Sequence, residues 1–425
     1  MPNGYIQESK SANDFRNNGK FQEAIAIYTK LWEQKEDMYV GCGLLHCLRK
    51  LGSTAEALKF SEKLINKYPN FSWAKNEYIW TQIQCGIDSL DPEKDFNSIL
   101  TTATNLLSLE LEPLALNHIA FKVLKSAKHS GNWDILNEWV DKITPNTLQD
   151  TPMVSEEGKE GWSWKGLWFN YKIAGLIHAK HYDKALTDID VALSLFPRQK
   201  KFFLRSKALV FNGQQRLEES KNIYENLCNN PKADWWIRTE YAQALISSNN
   251  NDDALKQLCL ACNSRVPRKS LVNAFAELGK LLFRQQNYAD SSAHFALCKY
   301  VRLENSWSIP SDIEAALHKL ENTHHCHPPA SLHEALTACS NVWVAFLKKN
   351  VTALNSRQNI KGKIEGLLDT RPYCFIRAMT GETFFCSKKL LPTDTNNGSE
   401  VVFDAAESFD KKKNKKSWVA ITVKR

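Results

Sequence analysis

A short segment near the C-terminus carries alternating aromatic and basic side chains. If residues 371–378 form a β-strand, Tyr373, Phe375 and Arg377 share one face, because successive side chains of a strand point to opposite sides. The intervening residues are apolar or small and suit a core. Aromatic rings beside a cation can stack on unpaired nucleic-acid bases, since every base has a flat π-face. This strand face is therefore a candidate site for single-stranded nucleic acid.

A second segment, residues 382–387, alternates in the same way. Thr383 and Phe385 would lie on one side of a strand, and Phe384 and Cys386 on the other. Two further apolar segments follow. Together these segments predict a small all-β domain.

The order of these segments resembles that of a cold-shock domain, a five-stranded barrel of the OB type. The family's opening strand falls on residues 362–365, and its first RNP motif, of Lys-Gly-Phe-Gly-Phe-Ile form, on 371–376. Its second motif, of Val-Phe-Val-His-Phe form, falls on 383–387. Its late Gly-x-x-Val-x-Phe strand falls on 398–403, and a closing strand on 418–423.

The resemblance implies which side chains stack on bases, namely Tyr373, Phe375 and Phe384. The chain also departs from the family pattern. Gly366 stands where the family has a tryptophan, and Cys386 where it has a histidine. The expected stacking surface is therefore smaller than in the family.

Positive charge is concentrated in the same part of the chain. Residues 357–425 contain 14 Lys/Arg and 8 Asp/Glu, a net charge of +6, whereas the whole chain carries +8. Such a local excess favours contact with a polyanion, although the lysine run could also be a solvated loop. The side chains predicted to contact phosphates are Arg371, Arg377, Lys388, Lys389, Lys411, Lys412, Lys413, Lys415 and Lys416.

The rest of the chain contains a repeat with a period near 34 residues. Such a period predicts paired antiparallel helices stacked in a solenoid, in which a small residue lets the two helices of a pair approach. The pattern resembles the tetratricopeptide repeat family. The small residues at the equivalent position are Ala24, Ala57, Ala185, Ser220, Ala254 and Ser291.

The predicted fold is mainly α, a helical-repeat solenoid followed by a small all-β barrel. Residues 1–304 form the repeat array, which a loop at 145–160 interrupts. Two capping helices occupy 305–356, after prolines that mark the breaks, and the barrel occupies 357–425.

The resemblance to tetratricopeptide repeats implies that the first helix of each pair lines a groove for a peptide or a protein surface. The projected residues do not reproduce the Lys/Asn/Arg clamp of chaperone-binding relatives. They are Asn170, Ala174, His178, Phe202, Arg205, Trp236, Thr239, Gln243, Asn273, Lys280 and Arg284.

Motifs of other functional classes are missing from the sequence. It contains no Gly-x-x-x-x-Gly-Lys phosphate loop and no Gly-x-Ser-x-Gly elbow, and no nucleophile has an obvious base. The His-His-Cys-His run at 324–327 offers metal-capable groups but lacks a second cluster, which favours a polar turn. We therefore expect no catalytic residue, metal or cofactor.

Composition predicts a cytoplasmic protein. No stretch approaches the ~18 apolar residues of a membrane span, and the N-terminus lacks a signal-peptide pattern. The 11 cysteines are scattered without the spacing of a disulfide framework, which favours reduced thiols.

Two functions fit these features. The first is a non-enzymatic adaptor that binds a protein partner with its solenoid and single-stranded RNA or DNA with its barrel. The second is a pure protein-interaction scaffold whose barrel is a structural or docking module. An enzyme would need a closed pocket with converging acid or base side chains. Bacterial stress response, RNA regulation and defence are all compatible settings, and the oligomeric state is left open.

Overall fold

Helices occupy the chain as far as Ala353, and β-strands follow. The structure, a computed structural model, describes residues 2–230, 233–353, 356–410 and 415–424. These residues form eighteen α-helices and five β-strands. The chain divides into two units, Met1–Ile223 and Tyr224–Arg425, with the boundary inside a helix, and each is described separately.

The first unit is a stack of antiparallel helix pairs. The second helix of its last pair, α12, continues into the second unit. The helices are α1 Pro2–Asn17, α2 Phe21–Gln34, α3 Met38–Lys50, α4 Thr54–Lys67, α5 Ser72–Ile83, α6 Phe96–Leu106, α7 Pro113–Ser130, α8 Trp133–Asp141, α9 Trp164–His178, α10 Tyr182–Leu195, α11 Lys200–Gly213 and α12 Leu217–Cys228.

The loop predicted at 145–160 lies in the first unit. It holds a 3-10 turn and a short β-bridge between Val154 and Glu160.

The second unit contains two more pairs, two further helices and the strands. The elements of the second unit are α13 Trp235–Ser247, α14 Asn251–Cys262, α15 Val272–Arg284, α16 Tyr288–Glu304, α17 Ser311–His324, α18 Leu332–Ala353, β1 Ser356–Glu365, β2 Tyr373–Ala378, β3 Thr383–Ser387, β4 Glu400–Asp410 and β5 Lys415–Lys424.

Small residues lie between the two helices in six of the pairs. All six positions identified from the repeat are buried. Two of them are serines, and each hydroxyl donates to a carbonyl of the preceding helix. Ser220 donates to Ala208 at 2.9 Å, and Ser291 donates to Gly279 at 2.8 Å. A buried hydroxyl therefore adds a hydrogen bond where close packing requires a small side chain.

The turns inside seven of the pairs share one backbone motif. A residue with φ between +59° and +75° lies two positions before the second helix. The amide of the following residue donates to a carbonyl five residues earlier, as Lys20 does to Phe15 and Arg216 to Phe211. This is the Schellman arrangement, which satisfies carbonyls at a helix C-terminus. The left-handed residues are Gly19, Gly52, Gly131, Lys180, Gln215, Asn249 and Gln286.

A buried tryptophan attaches α18 to the last helix pair. The Trp343 indole N–H donates to Nε2 of His294 at 2.8 Å, and Nδ1 of His294 donates to the carbonyl of Asp290 at 2.7 Å. The Trp343 ring also lies parallel to Phe275, with centroids 5.7 Å apart. Burial lowers the pKa of His294 to about 4, so this histidine is neutral at pH 7.

The five strands close into a barrel in the order β1-β2-β3-β5-β4. All neighbouring strands are antiparallel except β3 and β5, which are parallel. The barrel core includes Ile364, Ile376, Phe384 and Phe403, all essentially inaccessible to solvent. The predicted fold class, a helical-repeat stack followed by an all-β barrel, is confirmed.

Candidate functional site

Three aromatic rings lie together on the outer face of β2 and β3. Tyr373 and Phe375 lie on β2, and Phe385 lies directly opposite Phe375 on β3. The ring centroids are 5.2 Å apart for Tyr373 and Phe385, 5.8 Å for Tyr373 and Phe375, and 6.2 Å for Phe375 and Phe385. Tyr373 and Phe375 are half-buried, and Phe385 is 40% exposed. We call these three side chains the aromatic face.

The expectation that Phe384 stacks on bases is wrong. Phe384 is 0% exposed and packs edge-on against Phe403, with centroids 5.0 Å apart. Its register partner on β2 is Ile376, which also points into the core. Phe385 supplies the third outward ring instead. The alternation of β3 places Phe385 there, whereas the family motif points to its neighbour.

Basic side chains border the aromatic face unevenly. Arg371 is exposed, with its guanidinium 6.0 Å from the Tyr373 ring, and Lys389 is also exposed. The charge of Arg377 is offset by Glu365, whose carboxylate lies 2.9 Å from Arg377 Nε. Of Arg371, Arg377 and Lys389, therefore, Arg371 and Lys389 remain open to a phosphate.

The lysines predicted to contact phosphates are placed differently. Lys388 donates from its ammonium group to the carbonyl of Leu368 and so fixes a loop. Lys411, Lys412 and Lys413 lie outside the described residues, and Lys415 and Lys416 belong to β5, where they pair with the end of β4.

The loop between β1 and β2 is fixed next to the aromatic face. The amide of Leu367 donates to Oδ1 of Asn397 at 2.8 Å, and Nδ2 of Asn397 donates back to the Leu367 carbonyl at 3.0 Å. Gly366 precedes this contact and has a φ of +66°, a backbone conformation that residues other than glycine rarely adopt. Leu368, the next residue of this loop, has 46% of its area exposed.

In the first unit, the predicted groove residues lie on the first helices of their pairs. Asn170 and His178 are on α9, as is Ala174, and Arg205 is on α11, as is Phe202. The His178 ring stacks on Trp133 at 3.5 Å, with an angle of 9° between the ring planes. Burial and the positive charges of Lys128 and Arg205 lower the pKa of His178.

Lys128 is a basic residue beside α9 that the sequence did not identify. It lies on α7, with its ammonium group 5.5 Å from the Tyr171 ring of α9. The repeat is degenerate over α7, so the register that placed the other residues does not extend to it. A lysine followed three positions later by a helix-ending glycine and then a second helix is the signal that could have found it.

In the second unit, the predicted groove residues differ in their burial and in their contacts. Trp236 and Gln243 lie on α13, and Asn273 and Arg284 on α15, and none of these four is buried. Lys280 instead forms ion pairs with Glu277 at 3.4 Å and with Asp312 of α17 at 3.1 Å.

Lys280 and Thr239 are therefore corrected to packing roles. The ion pair with Asp312 ties α15 to the first turn of α17 and offsets the lysine charge. Thr239 is buried, and its hydroxyl donates to the carbonyl of Trp235 at 2.9 Å.

The His-His-Cys-His run lies where α17 ends and the following loop begins. His325 adopts φ of +52° and ends α17, and His324 stacks on Tyr288 at 3.7 Å. His327 pairs with Glu321 at 3.2 Å. Within the described residues, no three His, Cys, Asp or Glu side chains are grouped so that they could hold a metal ion.

Among the helices in the described part of the chain, none combines the length and the apolar character needed to span a membrane.

Comparison with known proteins supports the repeat. A tetratricopeptide repeat model matches residues 47–70, and a model described as "Domain of unknown function (DUF7017)" matches residues 201–338. A search of curated proteins gives no match. The model match and the helix pairs together make the helical part tetratricopeptide-like.

Several solved structures of low sequence identity also match. A tetratricopeptide repeat protein from Parabacteroides merdae is 14% identical with a TM-score of 0.30, covering 75% of this chain and 99% of that chain. Yeast Tom70 is 12% identical with a TM-score of 0.26, covering 83% and 97%. The human IFIT1 dimer with m7Gppp-AAAA is 13% identical with a TM-score of 0.39, covering 80% and 79%.

Proposed function

We propose that the protein is a non-enzymatic cytoplasmic adaptor. Its helical repeat binds a protein partner, and its barrel, an OB-type domain similar to cold-shock domains, binds single-stranded RNA or DNA. The observation that carries the nucleic-acid function is the aromatic face, where three rings lie within about 6 Å of one another on the outside of a small barrel.

The barrel topology supports this proposal. An OB fold is a five-stranded Greek-key barrel that binds oligonucleotides on the face of strands 2 and 3. The order β1-β2-β3-β5-β4 with β3 parallel to β5 is consistent with that fold, and the aromatic face lies on β2 and β3. The β1–β2 loop, which Asn397 fixes, borders the same face.

The chemistry of binding follows from the side chains. The rings of Tyr373, Phe375 and Phe385 would stack on successive bases, and each stacked base contributes about 1–3 kcal/mol. Arg371 and Lys389 would contact phosphates at the margin. Stacking does not depend on base identity, so we expect little sequence preference.

The test is fluorescence-anisotropy binding of the full chain to labelled single-stranded RNA and DNA over a salt series. The Tyr373→Ala/Phe385→Ala double variant should bind at least about tenfold more weakly. Trp307→Ala, which removes an exposed aromatic outside the barrel, is the matched control and should bind like the wild type. Circular dichroism establishes that each variant is folded.

The scaffold is the alternative function, and one observation favours it. Glu365 lies beside Phe375 on β1 and neutralises Arg377, which makes the margin of the aromatic face less cationic than the sequence predicts. If the folded wild type binds neither RNA nor DNA at low salt, the barrel is a docking module and the scaffold function stands in place of the adaptor.

A further inference from the structure

In the first unit, the first helices of three successive pairs lie side by side. The Trp80 ring of α5 lies 5.8 Å from His118 of α7, and the Phe121 ring of α7 lies 4.7 Å from Trp164 of α9. Further along α7, Lys128 lies over Tyr171 of α9. These contacts make one surface along the length of α7, which we call the α7 surface.

One end of the α7 surface is apolar. A cavity of about 240 Å³ lies between Leu114, Leu148 and Trp164. Leu114 is 70% exposed although it is a large apolar side chain. Such a cavity is smaller than the sites that hold drug-sized ligands, and its size suits a single apolar side chain. Polar groups at its rim are supplied by Asn117, His118, Thr147 and Gln149.

The charged side chains near this apolar end already contact one another. Nε2 of His118 lies 2.9 Å from the Asp88 carboxylate, and the Lys122 ammonium group lies 3.5 Å from the same carboxylate. The cavity therefore presents apolar surface to whatever occupies it, together with the hydrogen-bonding groups of Asn117, Thr147 and Gln149.

The other end of the α7 surface is cationic. A second cavity, of about 400 Å³, is lined by Lys125, Lys128 and Tyr171, with His129 and an exposed Glu93 completing its lining. Among the described residues, no carboxylate forms an ion pair with Lys128. Burial, and then the charge of Arg205, lower the pKa of Lys128, which shows that its ammonium group is partly desolvated near another cation.

Three helices contribute to this positive region. Lys128 lies on α7, His178 on α9 and Arg205 on α11. The positive charges of Lys128 and Arg205 both lower the pKa of His178. A partly desolvated ammonium group such as that of Lys128 gains most from a bound anion, because it then acquires a counter-charge in a medium of low dielectric constant.

The length of α7 fixes the separation of the two ends. Leu114 and Lys128 are fourteen positions apart on one uninterrupted helix, which at 1.5 Å per residue is about 21 Å. An extended peptide rises about 3.3 Å per residue, so about six residues span the same distance.

We propose that the α7 surface binds an extended segment of a partner protein that carries one large apolar side chain and, about six residues away, a cluster of Asp or Glu. This inference rests on the proposed role of the helical repeat in binding a protein partner, and it specifies the chemistry of that partner. The apolar side chain enters the cavity beside Leu114, and the acidic cluster pairs with Lys128.

The test is a selection from a phage-displayed library of random peptides of about twelve residues on the immobilised full chain. The expected result is a consensus with an apolar residue and acidic residues separated by five to seven positions. A consensus without acidic residues, a different separation, or no enrichment over the empty support would overturn the proposal.

The affinity of the selected peptide then locates the site. Labelled peptide should bind Lys128→Glu at least about tenfold more weakly, because a like charge replaces the cation. Leu114→Asp should weaken binding at the other end of the surface. Lys184→Glu makes the same charge change at an exposed position on α10 and should bind like the wild type. Equal weakening by Lys128→Glu and Lys184→Glu would show that only net charge matters and would sink the specific site.

A nucleic-acid titration of the same variants separates this inference from the barrel function. Lys128→Glu should bind single-stranded RNA and DNA as the wild type does. Failure of the peptide selection would therefore leave the barrel result standing, and failure of nucleic-acid binding would leave the α7 surface standing.

Discussion

At the scale of single residues, two adjacent phenylalanines on β3 separate stability from binding. Phe384 is in the barrel core and Phe385 is on the aromatic face. We expect Phe384→Ala to destabilise the barrel by about 3–5 kcal/mol, the usual cost of removing a buried phenylalanine. Phe385→Ala should leave stability nearly unchanged and weaken nucleic-acid binding by about 1–3 kcal/mol. Denaturant unfolding and anisotropy titration measure the two effects, and similar stability losses for both variants would contradict the assignment of the faces.

A buried histidine makes stability depend on pH. The pKa of His294 is about 4 in the folded protein and near 6.5 when unfolded, so the unfolded chain binds more protons between these values. The contribution of neutral His294 to the free energy of unfolding is therefore fully present above pH 6.5, and it is lost as the pH falls towards 4. We expect a loss of about 2 kcal/mol at pH 5.

Chemical denaturation at pH 7.5 and pH 5, followed by tryptophan fluorescence, measures this loss. His294→Gln is the control, since it keeps polar groups near Trp343 but cannot titrate. The variant should show a smaller difference between the two pH values than the wild type does. An equal difference in both proteins would assign the acid sensitivity to other groups.

At the scale of elements, the repeated turns contain strain that glycine would relieve. Three turns use Lys180, Gln215 or Gln286 in the left-handed conformation that glycine adopts at Gly19 and Gly52. A non-glycine residue in this conformation costs about 1–2 kcal/mol. We expect Lys180→Gly and Gln286→Gly each to stabilise the protein by up to about 1 kcal/mol, because glycine's extra freedom in the unfolded chain offsets part of the gain.

The reverse change provides the control for this prediction. Gly52→Ala places a side chain at the same turn position, where φ is +75°, and should lower the melting temperature. Thermal unfolding of the three variants in parallel gives the comparison. A destabilised Gln286→Gly would show that its side chain contributes more than the backbone strain costs.

The elements also show what the sequence could predict. The small residues follow from close packing within one pair and the turn glycines from a left-handed turn, and both recur among the pairs, so a period of about 34 residues reveals them directly. The groove positions depend on contacts between distant segments. Lys280 has a partner in α17, and no periodicity indicates that Asp312 lies beside it. The family motif assigns base stacking to Phe384, whereas the alternation of β3 places Phe384 in the core and Phe385 on the outer face. At this position the alternation is the correct guide.

At the scale of the whole molecule, nucleic-acid affinity should depend on salt in proportion to the cations engaged. For single strands the logarithm of affinity falls with the logarithm of salt concentration by about 0.7 per phosphate contact. Arg371 and Lys389 alone would give a slope of about −1.4. The sequence places Lys411, Lys412 and Lys413 between β4 and β5, and their engagement would steepen the slope by about 2.

Replacing these three lysines by serine isolates their contribution. We expect the triple variant to keep the stacking part of the affinity, so that its binding approaches that of the wild type at high salt. Replacement of three basic residues on helices, Lys59, Lys184 and Lys256, by serine makes the same change in net charge and should leave the slope unchanged. If both triple variants flatten the slope equally, the nucleic acid responds to the net charge of the whole chain, and the barrel does not hold the strand at a defined site.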